Sequence, residues 1–202
     1  GPNRPTEPGV RAPFESSVKN VQSDADLDQL AKQADGITAI SVSRGSLTPD
    51  GAKRLKEFRG LRQLFFHSSF VDDSILEAIS DHPSLGHLLL NDSRVGDAGL
   101  AHVAKLPKLR HLDLRQTSVT SEGLRVLENA PALQELKLMG GLIDDAALAN
   151  LKKLRYLRQL AVYVATITDE GLKHLVDYPA LESFVVSCGA FPGQAGSITD
   201  KG

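Results

Sequence analysis

Cysteine is nearly missing from this chain: Cys188 stands alone among 202 residues. A single thiol excludes an intramolecular disulfide and a thiolate zinc site, and it speaks against extracellular repeat proteins with disulfide-closed ends. Tryptophan is absent, and aromatic residues make up only 5% of the chain. No apolar run approaches the roughly 18 residues of a spanning helix, and no signal-peptide core is present, so membrane insertion is not expected. Charge of either sign is not in excess. With 23 Lys and Arg against 25 Asp and Glu the formal net charge is -2 and the pI is near 6.3, which gives no support to a nucleic-acid partner. Nucleophile elbows, phosphate-cradling glycine loops and paired acid/base motifs are lacking too, so neither catalysis nor a cofactor is expected.

What the chain has is leucine at a fixed interval. Leu61, Leu85, Leu109, Leu133, Leu157 and Leu181 each open a similar block, 24 residues apart. Self-similarity at such a period marks a stacked-repeat architecture. In the block from Leu109, Leu112 and Leu114 alternate with His111, Asp113 and Arg115, the period-2 pattern of a strand with one wet face. Thr120-Ser121-Glu122 then offers a hydroxyl N-cap and an acid for a first helical turn, Leu124 and Leu127 follow at helical spacing, and Pro131 closes the helix. One unit cannot bury its own apolar stripe, whereas stacked units bury a continuous core.

In chain order, residues 1–17 carry four prolines and read as a flexible leader, with Gly1-Pro2 as the scar of an expression tag. Residues 18–36 read as an amphipathic N-terminal capping helix ending at Gly36. Six repeats are expected over 37–180, and a partial seventh repeat with the C-terminal end over 181–202. There the segment Ile198 to Gly202 echoes Ile167 to Gly171. The echo leads to the expectation that the native chain continues beyond Gly202; the alternative is that Phe191 plugs the end.

The run Ile167-Thr168-Asp169-Glu170-Gly171-Leu172, with variants at Val119 to Leu124 and Val95 to Leu100, resembles a segment of leucine-rich repeat proteins of the ribonuclease-inhibitor-like class. The 24-residue length resembles the short bacterial form found in GALA-type and planctomycete proteins. The resemblance covers residues 37 to about 189 and implies an α/β solenoid, with a curved parallel sheet on the concave face and helices on the convex face. It implies little about function. The ninth position, Asn in the best-known repeats, is here Gly45, Ser69, Ser93, Thr117, Gly141, Ala165 and Gly189. The amide ladder of those repeats is therefore absent, with Ser69, Ser93 and Thr117 expected to replace part of it.

Function is expected on the strand side chains that point away from the core: Phe65, His67, His87, Leu89, Asn91, His111, Asp113, Arg115, Lys137, Met139 and Tyr163. Phe65, Leu89, Met139 and Tyr163 are apolar without an evident folding reason, although scattered exposed apolar residues are ordinary. Asp113, Arg115 and Lys137 have mixed sign, which suits a protein partner better than a polyanion. A non-catalytic scaffold that binds a protein through this face is the leading expectation. One alternative is a metal held by His87, His111 and Asp113, since two imidazoles and a carboxylate can leave coordination positions open. Another is a module docking onto other domains of a longer polypeptide. The chain is expected to be a monomer able to associate end to end through its last strand. The lone cysteine favours an intracellular setting.

Overall fold

The computed structural model describes residues 18–67 and 70–188. They form one parallel sheet of eight strands in sequence order: β1 (Lys19–Ser23), β2 (Ala39–Ser46), β3 (Gln63–His67), β4 (His87–Leu89), β5 (His111–Arg115), β6 (Glu135–Met139), β7 (Gln159–Ala165) and β8 (Ser183–Cys188). Each strand pairs with the next through residues one repeat apart, as in Leu64↔Leu88, Leu88↔Leu112, Leu112↔Leu136 and Leu136↔Leu160. These leucines point to one side and are fully buried or nearly so. The other side of the layer is closed by α1 (Asp24–Ala31), α2 (Pro49–Ala52), α3 (Asp73–Ile79), α4 (Asp97–Val103), α5 (Asp145–Leu151) and α6 (Asp169–Leu172). α2 and α6 run on into 3-10 turns, and a 3-10 helix over Gly123–Asn129 stands in the place of an α-helix between α4 and α5. The architecture is a leucine-rich repeat solenoid.

The N-terminal segment departs from the expected single capping helix over 18–36. Residues Lys19–Ser23 form β1, which pairs with β2, and the helix spans only Asp24–Ala31. Val21 explains the difference: it lies 1% exposed opposite Val42, so burial in the sheet outweighs a longer helix. Ser23 then starts α1 by accepting the Asp26 amide at 3.3 Å. The leader 1–17, Ser68-Ser69, Phe191 and the echo at 198–202 lie outside the described residues.

Of the hydroxyls expected to tie neighbouring turns, Ser93 and Thr117 do not do so, and Ser69 lies outside the described residues. Thr117 Oγ1 donates to Leu114 O at 2.8 Å within its own repeat, and the buried Ser93 Oγ has no hydrogen-bond partner among the described residues. Backbone bonds link the turns instead, including Ser118 N to Val95 O at 2.8 Å and Thr166 N to Ile143 O at 2.9 Å.

A second tie lies at the helix starts. Asp97, the first residue of α4, accepts the Thr120 amide and the Thr120 hydroxyl of the next repeat, both at 2.8 Å. Thr120 Oγ1 in turn accepts the Gly123 amide at 3.1 Å. A Cβ added at Gly123 would land on the Asp97 carboxylate. The same arrangement links Asp24 to Thr48 and Gly51; Asp145 likewise holds Thr168 and lies against Gly171, although there Thr168 Oγ1 accepts the Glu170 amide at 3.2 Å. Asp73 does likewise with the Gly96 amide and Gly99. Two joints are built otherwise. Where the place of the aspartate is taken by Pro49 or Ser121, the next N-cap is Asp72 or Asp144, and the glycine position holds Ile75 or Ala147. An aspartate thus requires both a partner without negative charge and a neighbour without Cβ, and where it is missing both requirements lapse together.

Candidate functional site

The pairing of the strands sets the outward side chains in columns. One runs Gln63, His87, His111, Glu135, Gln159, Ser183, and the next runs Phe65, Leu89, Asp113, Lys137, Ala161, Val185. A third holds Arg115, Met139, Tyr163 and Ser187. All eleven expected site residues lie on this concave face or at its rim.

Their polar members are joined to one another. The His87 and His111 rings lie with centroids 3.9 Å apart, tilted by 38°. His111 Nδ1 is 2.8 Å from Glu135 Oε2, and Lys137 Nζ is 2.8 Å from the other Glu135 oxygen. Asp113 is only 4% exposed. Its carboxylate accepts Arg115 Nε at 2.9 Å and the Arg115 amide at 3.1 Å. The Asp113 hydrogen bond raises the Arg115 guanidinium above its usual value. Burial pushes the His87 imidazole down to about 4, with a further push from the neighbouring His111 and Arg110 against a smaller pull from Glu135. Burial alone would raise the Glu135 carboxyl, but the hydrogen bonds from Lys137 and His111 and the charges of both hold it below the usual glutamate value.

This geometry does not assemble the metal alternative. The Asp113 carboxylate is wrapped by Arg115, and His111 Nδ1 is engaged by Glu135. Among the described residues no group of three or more His, Cys, Asp and Glu side chains is placed to hold a metal ion.

The apolar members form two patches with the polar cluster between them. In the first, Phe65 is half-buried and stacks on His67 with centroids 6.4 Å apart. In the second, half-buried Met139 and Tyr163 are paired neighbours, with Ala161 and Val185 alongside. Between β6 and β8 lies a hollow of about 180 Å³ lined by Glu135, Lys137, Gln159, Ala161, Tyr163, Ser183 and Val185, among others. Leu89, the paired neighbour of Phe65, and Asn91 are half-buried, with Asn91 Nδ2 donating to Asp92 at 3.0 Å.

Several apolar surface residues were missed by pattern reading. Phe70 is 69% exposed and Leu142 55% exposed, in the turns that follow β3 and β6. The signal was available: the equivalent positions in other repeats are Arg94, Ser118 and Thr166. Near its end, at a register shift between Tyr163 and Ala165, β7 carries Val164 at φ 50°, a left-handed conformation that Asp92 and Gln116 share at the equivalent places and that is costly for a β-branched residue. One repeat earlier that place is Gly140.

On the opposite side, a wider hollow of about 1120 Å³ is lined by Glu128, Asn129, Lys152, Lys153, Arg155, Tyr156, Asp177 and Pro179. Lys153 pairs with Glu128 there, and Lys152 lies 3.5 Å from Asp177. Apart from Tyr156, its walls are mostly long solvated side chains that lose entropy when a partner orders them. Size alone therefore does not make it the stronger site.

Among the described residues no helix is long and apolar enough to cross a membrane. No protein-family model matches the chain, and no curated protein sequence matches it. Among solved structures it is similar to internalin C2 from Listeria monocytogenes, with a TM-score of 0.55 and 18% identity over 75% of this chain. The match spans 62% of that protein, less than two thirds of its length. At this identity the likeness shows the fold: a leucine-rich repeat solenoid.

Proposed function

We propose that this chain is a non-catalytic scaffold that binds a protein partner through its concave strand face. The observation that carries the reading is the placement of Phe65, Leu89, Met139 and Tyr163 on the outward side of the sheet, where the core gains nothing from them. Aromatic and Met side chains are enriched at protein interfaces, and curved repeat arrays use this surface for recognition. The contact residues are Phe65, His67, His87, Leu89, Asn91, His111, Asp113, Arg115, Lys137, Met139 and Tyr163, with Phe70 and Leu142 extending the surface at the rim. The repeats are assigned to the ribonuclease-inhibitor-like class in its short bacterial form, on the strength of the Ile167 to Leu172 segment and the 24-residue period.

The test is quantitative capture from a native lysate with three baits: the unaltered chain, the double variant Phe65→Ala/Tyr163→Ala, and the convex variant Lys152→Glu. A protein retained by the first and third baits and lost from the second supports the reading. Loss from Lys152→Glu alone overturns it.

A further inference from the structure

The hollow between β6 and β8 has a shape and a charge state that point to what it accepts. Ala161 is the smallest member of its column, with Lys137 on one side and Val185 on the other. The missing side-chain volume leaves a space of about 180 Å³ beside the Tyr163 ring. A cavity of roughly 150 Å³ takes a benzene-sized guest, so this space suits one side chain.

The charges around it are already satisfied. Glu135 is held between His111 and Lys137, each at 2.8 Å, and beyond them Asp113 and Arg115 close on each other. A charged guest would have to break one of these pairs or be buried without a counter-ion, and both are costly. An uncharged aliphatic guest meets Ala161, Val185 and the Tyr163 ring, with Gln159 and Ser183 also in the lining, and leaves the pairs intact.

We propose that this hollow is the seat of a single uncharged aliphatic side chain, Leu, Ile or Met, presented by the protein partner. The proposal rests on the concave-face reading and names its anchor. Its electrostatic corollary is that binding at this seat is nearly insensitive to salt, because no uncompensated charge is offered to the guest.

The probe is N-acetyl-leucinamide, titrated into the chain while the Ala161 and Val185 methyl resonances are followed by NMR, with N-acetyl-glycinamide as the control. A leucine side chain alone gives a dissociation constant on the order of tens of millimolar. The expected result is saturable methyl shifts with the leucine probe, no saturation with the glycine probe, and the same curve after addition of salt. Ala161→Leu fills the hollow from a position outside the core, and its melting curve verifies that it folds; it should abolish the shifts. Equal responses to the two probes, no saturable response, or shifts that persist in folded Ala161→Leu overturn the proposal. Any of these leaves the capture experiment with Phe65→Ala/Tyr163→Ala standing, so failure of the seat is distinguishable from failure of the concave-face reading.

Discussion

The helix starts and the concave face are made from the same repeats, yet they vary in opposite ways. At the helix starts variation obeys a rule. Asp24, Asp73, Asp97 and Asp145 face Thr48, Gly96, Thr120 and Thr168, and each lies against a glycine; Pro49 and Ser121 face aspartates and lie against residues with side chains. On the concave face the column Phe65, Leu89, Asp113, Lys137, Ala161, Val185 changes size, polarity and charge with no compensating change in the core beneath. Variation that obeys a packing rule belongs to folding. Variation free of any such rule is open to recognition.

The rule is broken most severely by mixing the two kinds of joint. Ser121→Asp places a carboxylate against the Asp144 cap and the Ala147 side chain, and should cost about 2–4 kcal/mol as an unpaired, crowded charge. Denaturant titration measures it, and Ser121→Asp/Asp144→Thr/Ala147→Gly should recover most of the loss. A single substitution no less stable than wild type would refute the rule. Gly123→Ala displaces the Asp97 carboxylate and should cost about 1–3 kcal/mol. Adding Asp97→Ser, which copies the other kind of joint, should restore stability; failure to do so would show that Gly123 serves another purpose.

The next effect belongs to the concave face and depends on pH. His87 is held at about 4 when folded, against 6.5 in its ordinary state. The unfolded chain therefore takes up a proton there before the folded one does, and stability falls as the pH drops from about 6.5 to about 4. His82, 1% exposed, is lowered in the same direction, chiefly by burial, and adds to the loss. Melting temperatures measured across this window should decline, and His87→Gln should make the decline shallower. An unchanged slope in the variant would contradict the assignment. The smallest effect is expected at the rim: Val164→Asn should gain about 0.5–1 kcal/mol by relieving the left-handed backbone. A clear loss in the same denaturant titration would mean that Val164 contributes more by packing than it costs in strain.

Much of this was legible in sequence because a repeat states its register many times. Leu88, Leu112 and Leu136 lie in the one layer their spacing dictates, and the outward columns follow from them. β1 was not legible, since Val21 supplies a single inward residue in a short polar strand and only its place beside Val42 reveals it. The role of Gly99, Gly123 and Gly171 was half legible. They recur with the repeat period, but the atom that excludes a Cβ belongs to an aspartate in the preceding repeat. The outward columns of the concave face were legible, but the contacts within them, which bear on the metal alternative at His87, His111 and Asp113, were not. The spacing that aligns His87, His111 and Asp113 says nothing of Arg115 folding back onto Asp113 or of Glu135 reaching His111.

The most direct measurement takes binding and stability from the same two variants, using a captured partner and a melting curve. Tyr163→Ala should weaken binding by about tenfold or more, as loss of an aromatic anchor does, with little change in melting. Asp97→Ser should lower the melting temperature and leave the dissociation constant unchanged. If Asp97→Ser abolishes binding while remaining folded and Tyr163→Ala does not affect it, the roles assigned to the two regions are reversed.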